Sequence, residues 1–141
     1  MKKYRVSSRM SRDEHAYMKR LHRAVVMVRH GAGLVENKWY GACSWCGNER
    51  WLQCCHIEPV GRCPHMRYDP DNAFAGCYYC HLHKWHKSPR EAEEFIVKRI
   101  GAGPRKALAT RATTKTKPDL AAIRLALELE WKKKTGSLKV P

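Results

Sequence analysis

Two Cys-x-x-Cys pairs constrain this chain more than any other feature of its sequence. Cys43 and Cys46 form the first pair, Cys77 and Cys80 form the second, and 30 residues separate the pairs. Each pair can place two thiolates on a tight turn and so supply half of a tetrahedral site for Zn²⁺. We therefore predict a closed structural zinc site, because four thiolates leave no coordination position open for catalysis.

Three further cysteines accompany these pairs in a chain of 141 residues. In a reducing compartment this cysteine content favours metal ligation over a disulfide framework, the alternative being buried or redox-active thiols. Cys54, Cys55 and Cys63 lie between the two pairs. We assign them no chemistry, because an isolated cysteine is more often a small buried apolar residue than a ligand.

The apolar residues are too scattered to indicate a membrane protein. No run of about 18 apolar residues is present, and the first 15 residues lack the apolar stretch of a secretory signal peptide. We therefore expect an intracellular protein with no membrane partner.

Positive charge is concentrated at the two ends of the sequence. The formal net charge is +15, of which residues 1–30 and 104–141 carry +7 each and residues 31–103 carry +1. Basic ends are typical of proteins that bind phosphates, since each neutralised phosphate releases a counterion. A surface that only improves solubility is the alternative. The candidate nucleic-acid-binding residues are Lys19, Arg20, Arg23, Arg62, Arg67, Lys84, Lys87, Lys132, Lys133 and Lys134.

Capping signals and apolar periodicity predict three helices. The first begins after Ser11, whose spacing from Glu14 is that of a capping box. The second has an N-cap followed by Pro89 at its first position, and it stops at Gly101. The last begins near Asp119 and ends in a run of lysines.

The centre of the chain has a different pattern. Short apolar runs in residues 51–76, broken by proline and glycine, predict two short strands joined by a loop. Residues 105–110 predict one or two further helical turns, and residues 113–118 predict a polar basic linker. The expected class is α+β, in three segments: a basic N-terminal arm and helix (1–38), a zinc-stapled core with its following helix (39–103), and a basic linker with a C-terminal helix (104–141).

Three polar residues near the cysteine pairs suggest an active site. His56, Asn72 and His81 follow the order and spacing of an HNH motif. Metal-assisted phosphodiester cleavage needs one imidazole to deprotonate water and a divalent cation to neutralise charge at the leaving oxygen. We therefore expect the two histidines to face a common phosphate. Four other histidines are interpreted as surface or satisfied polar residues, namely His15, His22, His30 and His65.

The sequence around this motif carries a longer series of matching features. They are Cys43-Ser-Trp-Cys46-Gly47, Cys55-His56-Ile57, the segment Gly61-x-x-Pro64-His-Met-Arg67-Tyr68-Asp69-Pro-Asp-Asn72, Cys77-x-x-Cys80 and Ile96-x-x-x-Ile100-Gly101. Over residues 40–105, approximately, this series resembles the Rap/NinG family of phage recombination nucleases. That family belongs to the HNH, or ββα-metal, endonucleases.

The resemblance implies a small zinc-stapled ββα-metal core flanked by helices. It also implies a DNA endonuclease that acts on branched or partly single-stranded DNA, such as D-loops or Holliday junctions, with recombination proteins as further partners. The setting it implies is the cytoplasm of a phage-infected or prophage-bearing bacterial host. A generic HNH nuclease for restriction, homing or packaging is one alternative, and a catalytically inactive zinc-binding module that recognises nucleic acid is another.

By position, the resemblance implies that His56 is the general base, that Asn72 pins the loop beneath it, and that His81 binds a catalytic Mg²⁺ or Mn²⁺. Many HNH enzymes have an Asp immediately before the base, whereas this chain has Cys55, which is too soft a ligand for Mg²⁺. His83 and His86 are candidates to complete the metal shell, as are water and substrate oxygens alone.

Six aromatic residues cluster around the motif: Trp39, Trp45, Trp51, Tyr78, Tyr79 and Trp85. We expect most of them to pack around the small core. Stacking on unpaired bases remains an alternative for one or two.

Overall fold

A four-stranded antiparallel sheet forms the centre of the structure. The computed structural model describes residues 10–141; the first nine residues of the predicted basic arm lie outside the described residues. The strands are β1 (Gly33–Val35), β2 (Lys38–Ala42), β3 (Glu49–His56) and β4 (Ala73–Cys77), and they are neighbours in that order. The two strands predicted within residues 51–76 are therefore confirmed as β3 and β4.

The hairpin of β1 and β2 is an addition to what the sequence predicts. Glu36 and Asn37 connect the strands with φ angles of 50° and 62°. Positive φ at both positions defines a type I′ turn, whose twist matches that of the flanking strands. Glutamate is an unusual residue there, so the Asn-Gly signature by which such hairpins are recognised is missing. β1 lies within the predicted segment 1–38 but shares the sheet with the core.

Four α-helices accompany the sheet: α1 (Arg12–Arg29), α2 (Pro89–Ile100), α3 (Ala102–Thr114) and α4 (Leu120–Thr135). The α+β class and the three predicted helices are confirmed. In α1, the Glu14 N–H donates to Ser11 Oγ and the Ser11 N–H donates to the Glu14 carboxylate, which completes the predicted capping box. Ser88 precedes α2 as predicted, but its side chain makes no capping hydrogen bond.

The α3 helix is longer than the sequence predicts. It continues to Thr114, where a linker from residue 113 was expected. Leu108 and Ala112 are buried against Cys63 and other core residues, so tertiary packing stabilises a helix whose own periodicity is weak. Tertiary context of this kind routinely overrides local propensity.

Helices cover both faces of the β3–β4 pair. Successive residues of a strand point to opposite faces. Cys55 and Phe74, which are directly paired, pack in one buried cluster with Ile96 of α2 and Leu108 of α3. On the other face, Leu52 and Ala75 pack with Met27 of α1. The β3–β4 pair is therefore packed against helices on both of its faces.

The α4 helix packs on the outer side of α1. Leu127 and Trp131 are buried in a cluster with Leu21 and Val25 of α1. Arg29 at the end of α1 forms ion pairs with Glu130 of α4 and with Asp71, the latter at 2.9 Å. Within residues 10–141, the helices are too short or too polar to cross a membrane.

The contact between α1 and α4 predicts a difference between two leucines of the same helix. Leu127 is fully buried against α1, whereas Leu129 is exposed. We expect Leu127→Ala to lower the free energy of unfolding by about 3 kcal/mol, because it removes buried apolar surface and leaves a cavity. Leu129→Ala should change it by less than about 0.5 kcal/mol. Urea denaturation of both variants tests this, and equal losses would show that α4 does not pack as described.

Candidate active site and metal centre

The four cysteines of the two pairs converge at one end of the β3–β4 hairpin. Cys43 and Cys46 lie on the turn after β2, Cys77 ends β4, and Cys80 begins the helical turn that follows. Their sulfur atoms all lie within 4.8 Å of one another. A tetrahedron of Zn–S bonds places sulfur atoms about 3.8 Å apart, so this arrangement fits. The cluster could hold a structural metal such as zinc.

Backbone N–H groups prepare this cluster for negative charge. Gly47 adopts a φ of 75°, and its N–H donates to the Cys43 carbonyl at 2.9 Å, which closes the first turn. Burial opposes ionisation of Cys43, but N–H groups led by that of Cys77 lower its thiol pKa to about 7. Burial raises the pKa of the Cys77 and Cys80 thiols. A bound dication would deprotonate all four thiols, since it deprotonates coordinating thiols outright.

His56 is the last residue of β3 and is held by one backbone group. Its Nε2 lies 3.0 Å from the carbonyl oxygen of Arg67. A carbonyl only accepts, so Nε2–H donates to it, and Nδ1 of the neutral ring keeps a free lone pair. Burial lowers the pKa of His56, with the positive charge of Arg67 adding to the effect and the carbonyl bond opposing it. The neutral ring, which can accept a proton, is therefore favoured.

His22 of α1 stacks directly on His56, a contact that the sequence did not indicate. The two ring centroids lie 5.4 Å apart with an angle of 9° between the planes. His22 is buried, and its Nε2 lies 3.2 Å from the carbonyl oxygen of Asp69. Burial lowers the pKa of His22 to about 4, so the ring stays neutral beneath His56. The interpretation of His22 as a satisfied polar residue is correct but incomplete.

Asn72 forms hydrogen bonds with the chain immediately after His56. The Glu58 N–H donates to Asn72 Oδ1 at 2.7 Å, and Asn72 Nδ2 donates to the Glu58 carbonyl at 3.1 Å. The Ile57 N–H also donates to the Asn72 carbonyl at 2.9 Å. Asn72 is fully buried, and Arg105 pairs with the Glu58 carboxylate at 2.7 Å. The direction of the chain beyond His56 is therefore fixed by paired polar groups.

A π-helical turn brings the side chains of His81 and His86 together. Residues Cys80–Trp85 form this turn, and the His86 N–H donates to the His81 carbonyl five residues earlier at 3.2 Å. An α-helix would bring together residues three or four apart. The π-turn instead places the Nε2 atoms of His81 and His86 3.0 Å apart. His83 is exposed and lies against the ring of Tyr79, with centroids 5.0 Å apart.

Gln53 orients His81, although sequence reasoning did not select it. Gln53 Oε1 lies 2.7 Å from His81 Nδ1, so Nδ1–H donates and the Nε2 lone pair is directed towards His86. Burial lowers the pKa of His81, and the positive charges of His86 and His56 add to the effect. The only signal in the sequence is a polar amide between apolar residues of β3, three residues before His56.

His56 and His81 line two adjacent clefts. We call the first, of about 550 Å³, the basic cleft; it is lined by Lys19, Arg23 and Lys38 together with His22, His56 and His81. The second, of about 480 Å³, contains His86 and residues of mixed charge, among them Arg62, Glu58 and Glu93. The two imidazoles thus face a space large enough for a phosphate and its neighbours.

The remaining cysteines separate into two environments. Cys55 and Cys63 are buried in the core cluster with Phe74, so Cys55 does not stand in for a metal-binding Asp. Cys54 lines both clefts beside His56. Burial raises the pKa of the Cys54 thiol to about 12, and it stays protonated at neutral pH.

The ten predicted nucleic-acid-binding residues are spread over several surfaces. Lys19 and Arg23 line the basic cleft, and Arg62 lines the second cleft. Lys84 flanks the cysteine cluster. The others are exposed outside both clefts: Arg20, Arg67, Lys87 and, at the end of α4, Lys132, Lys133 and Lys134.

Comparisons with family models, with curated proteins and with solved structures give no match to this chain. The residues and their geometry are therefore the basis of any functional proposal.

The cysteine cluster predicts one tightly bound zinc per chain. We expect Cys46→Ser to lose that zinc and much of the folded state, because binding free energy at such a site is folding free energy. Cys63→Ala is the matched control, since Cys63 is buried outside the cluster. Metal analysis with thermal unfolding measures both. A zinc-free wild-type chain that remains folded would refute the metal site.

His22 predicts a specific dependence of stability on pH. Its pKa is lowered from 6.5 to about 4, so the folded state binds fewer protons than the unfolded state between these values. The stabilisation is present above pH 6.5 and is lost as the pH falls to about 4. Relative to His22→Phe, the wild type should lose about 3 kcal/mol of unfolding free energy over that range. Urea denaturation at several pH values checks this, and parallel curves would contradict it.

Proposed function

We propose that this chain is a divalent-metal-dependent DNA endonuclease of the HNH type. Its ββα-metal core would consist of β3, β4 and the helical turn that follows. Branched or partly single-stranded DNA is its proposed substrate, as the family resemblance implies. The observation that carries the proposal is the pairing, around one basic cleft, of a histidine with a free Nδ1 and a histidine with an oriented Nε2.

The geometry supports His81 and His86 as the residues that would hold the catalytic cation. Two imidazole nitrogens 3.0 Å apart fit a shared ion, and Gln53 fixes the His81 ring that would bind it. Imidazole suits Mn²⁺ better than Mg²⁺, which prefers oxygen ligands. When bound, such a cation neutralises the charge that develops on the phosphate and the leaving oxygen. His83 has no part in this arrangement.

His56 would supply the general base. Its Nδ1 accepts a proton from the attacking water, and the Arg67 carbonyl bonded to Nε2–H stabilises the imidazolium that forms. The hydrogen bonds of Asn72 and the stacked His22 ring hold the His56 ring in one orientation. Fixing a reacting group in this way is a large part of catalysis, because small misplacements cost much of the rate.

The four cysteines would hold a structural Zn²⁺ with no direct role in the reaction. The ion would join the turn after β2 to the end of β4 and to the turn that carries His81 and His86. Basic side chains around the basic cleft would hold the DNA backbone on either side of the scissile phosphate.

His56→Ala tests the proposed base. Purified full-length protein, with its zinc retained, is incubated with Mn²⁺ and linear duplex, D-loop or Holliday-junction DNA. We expect wild-type cleavage of the branched substrates, and a loss of about 10²–10⁴-fold in the variant with DNA binding retained. Wild-type activity should fall as the pH drops through the lowered pKa of His56, because protonation removes the acceptor. Undiminished cleavage by His56→Ala would refute His56 as the general base and with it the HNH assignment, whereas no cleavage by the wild type would favour a non-catalytic zinc-binding module.

His86 and His83 form a matched pair for testing the metal ligands. His86→Ala should raise the Mn²⁺ concentration needed for half-maximal cleavage, by about 10–100-fold, because one of two imidazole ligands is missing. His83→Ala should leave that concentration unchanged, since His83 faces Tyr79. Metal titrations of both variants give the answer. The opposite ranking would show that the π-helical turn does not build the metal site.

A further inference from the structure

Three aromatic side chains beside the proposed active site are left in solvent. Trp51 of β3 is 48% exposed, and Tyr78 and Tyr79, directly after β4, are 60% and 61% exposed. Aromatic rings contribute large apolar areas when they pack, so neighbouring rings left exposed indicate a binding surface. Packing was expected for most of the six aromatic residues around the motif, but only the other three are partly buried: Trp39, Trp85 and Trp45, which stacks on Phe95. We call Trp51, Tyr78 and Tyr79 the aromatic strip.

The aromatic strip is continuous with the basic cleft. Trp51 and Tyr78 line that cleft together with His56 and His81. All three rings also line a neighbouring groove of about 590 Å³ over the cysteine cluster, together with Arg50 and Lys84. Among the described residues, neither lining includes an Asp or Glu. An extended anion with flat apolar groups is the ligand that this combination fits.

Trp51 is supported from the neighbouring strand. Tyr40, its direct partner on β2, meets the indole edge to face with centroids 5.2 Å apart. The Lys38 Nζ lies 5.7 Å from the centre of the indole ring. A supported ring loses little conformational entropy when a ligand stacks on it. The lysine places a positive charge where the phosphate next to a stacked group would lie.

We propose that the aromatic strip binds unpaired bases of a DNA strand whose backbone crosses the basic cleft. The proposal rests on the proposed nuclease function and specifies the substrate at the same site. The faces of bases are covered by their neighbours within a duplex, whereas an unpaired base offers its face to an aromatic ring. Binding by stacking and by phosphate contacts tolerates many sequences. The enzyme therefore selects a single-stranded stretch beside the phosphate that it cleaves.

Binding measurements on a non-cleaving background test the strip. The full-length His56→Ala protein, with its zinc retained and no other metal added, is titrated into labelled single-stranded DNA, the same strand with abasic sites, and a blunt duplex. Adding Trp51→Ala or Tyr78→Ala should weaken binding of the intact single strand by about tenfold. The abasic strand and the duplex should change by less than about twofold, because they offer no free base to stack. Adding Trp51→Phe should preserve most of the affinity.

Lys19→Ala is the matched control, because it removes a charge from the basic cleft and leaves Trp51 with its neighbours Tyr40 and Lys38. It should weaken binding of all three DNAs and lower the slope of log affinity against log salt by about 1. Equal losses on intact and abasic strands in Trp51→Ala, or no loss at all, would overturn the proposal. Tighter binding of an RNA strand of the same sequence would overturn its assignment to DNA.

Two readouts keep the test independent of folding and of cleavage. Zinc content and thermal unfolding show whether a variant is folded, and if Trp51→Ala is not, tryptophan fluorescence decides. Single-stranded DNA should quench the tryptophan emission of the background protein, and Trp51→Phe should remove most of that quenching, the remainder coming from Trp39 in the same cleft. If single-stranded DNA does not quench the emission, the proposed binding of bases by the aromatic strip is overturned. Binding is measured without turnover, so the two proposals fail separately. If the wild type cleaves DNA and Trp51→Ala binds it unchanged, only the proposed role of the aromatic strip is refuted. If the wild type does not cleave DNA, only the proposed nuclease activity is refuted.

Discussion

The convergence of four cysteine sulfur atoms is the constraint on which the rest of the structure depends. It joins the turn after β2 to the end of β4 and the helical turn that begins three residues later, and 30 residues separate these two parts of the chain. A metal bound there would replace part of the apolar core that a short central segment cannot build, because small domains bury too little surface to be stable alone. The histidines of the candidate site lie on β3 and on that same helical turn, so the cysteine cluster also sets the distance between them.

Hydrogen bonds around the candidate site leave Nδ1 of His56 unpaired and turn Nε2 of His81 towards Nε2 of His86, 3.0 Å away. His56 gives its Nε2–H to a carbonyl, and His81 gives its Nδ1–H to Gln53. The free lone pairs are therefore Nδ1 of one ring and Nε2 of the other, which a proton acceptor and a metal ligand respectively require. Burial favours the neutral form of both rings by lowering their pKa values. The hydrogen bonds thus leave a different nitrogen without a proton in each ring, Nδ1 in His56 and Nε2 in His81.

The terminal helices do more than carry charge. Packing of α1 against β3 and β4 brings His22 under His56 and places Lys19 and Arg23 in the basic cleft. The α4 helix supports α1 from outside, through Leu127 and the ion pair of Arg29 with Glu130. The basic residues at the end of α4 lie outside the clefts, so the charge of this chain is divided between the site and more distant surfaces.

The sequence by itself determined the features that depend on neighbouring residues. The cysteine pairs, the capping box at Ser11 and the β3 and β4 strands follow from local spacing; the structure confirms the capping box and the strands and brings the four cysteines together. The order of His56, Asn72 and His81 also follows from local spacing, and their roles stay a prediction. Only the tertiary structure decided which other residues join the site. His22 and Gln53 reach it through packing between elements, and His86 reaches it because the chain forms a π-turn where an α-helix would have paired His83 with His86. Packing between residues that are far apart in the sequence selects between the α-helix and the π-turn, which local propensity barely distinguishes.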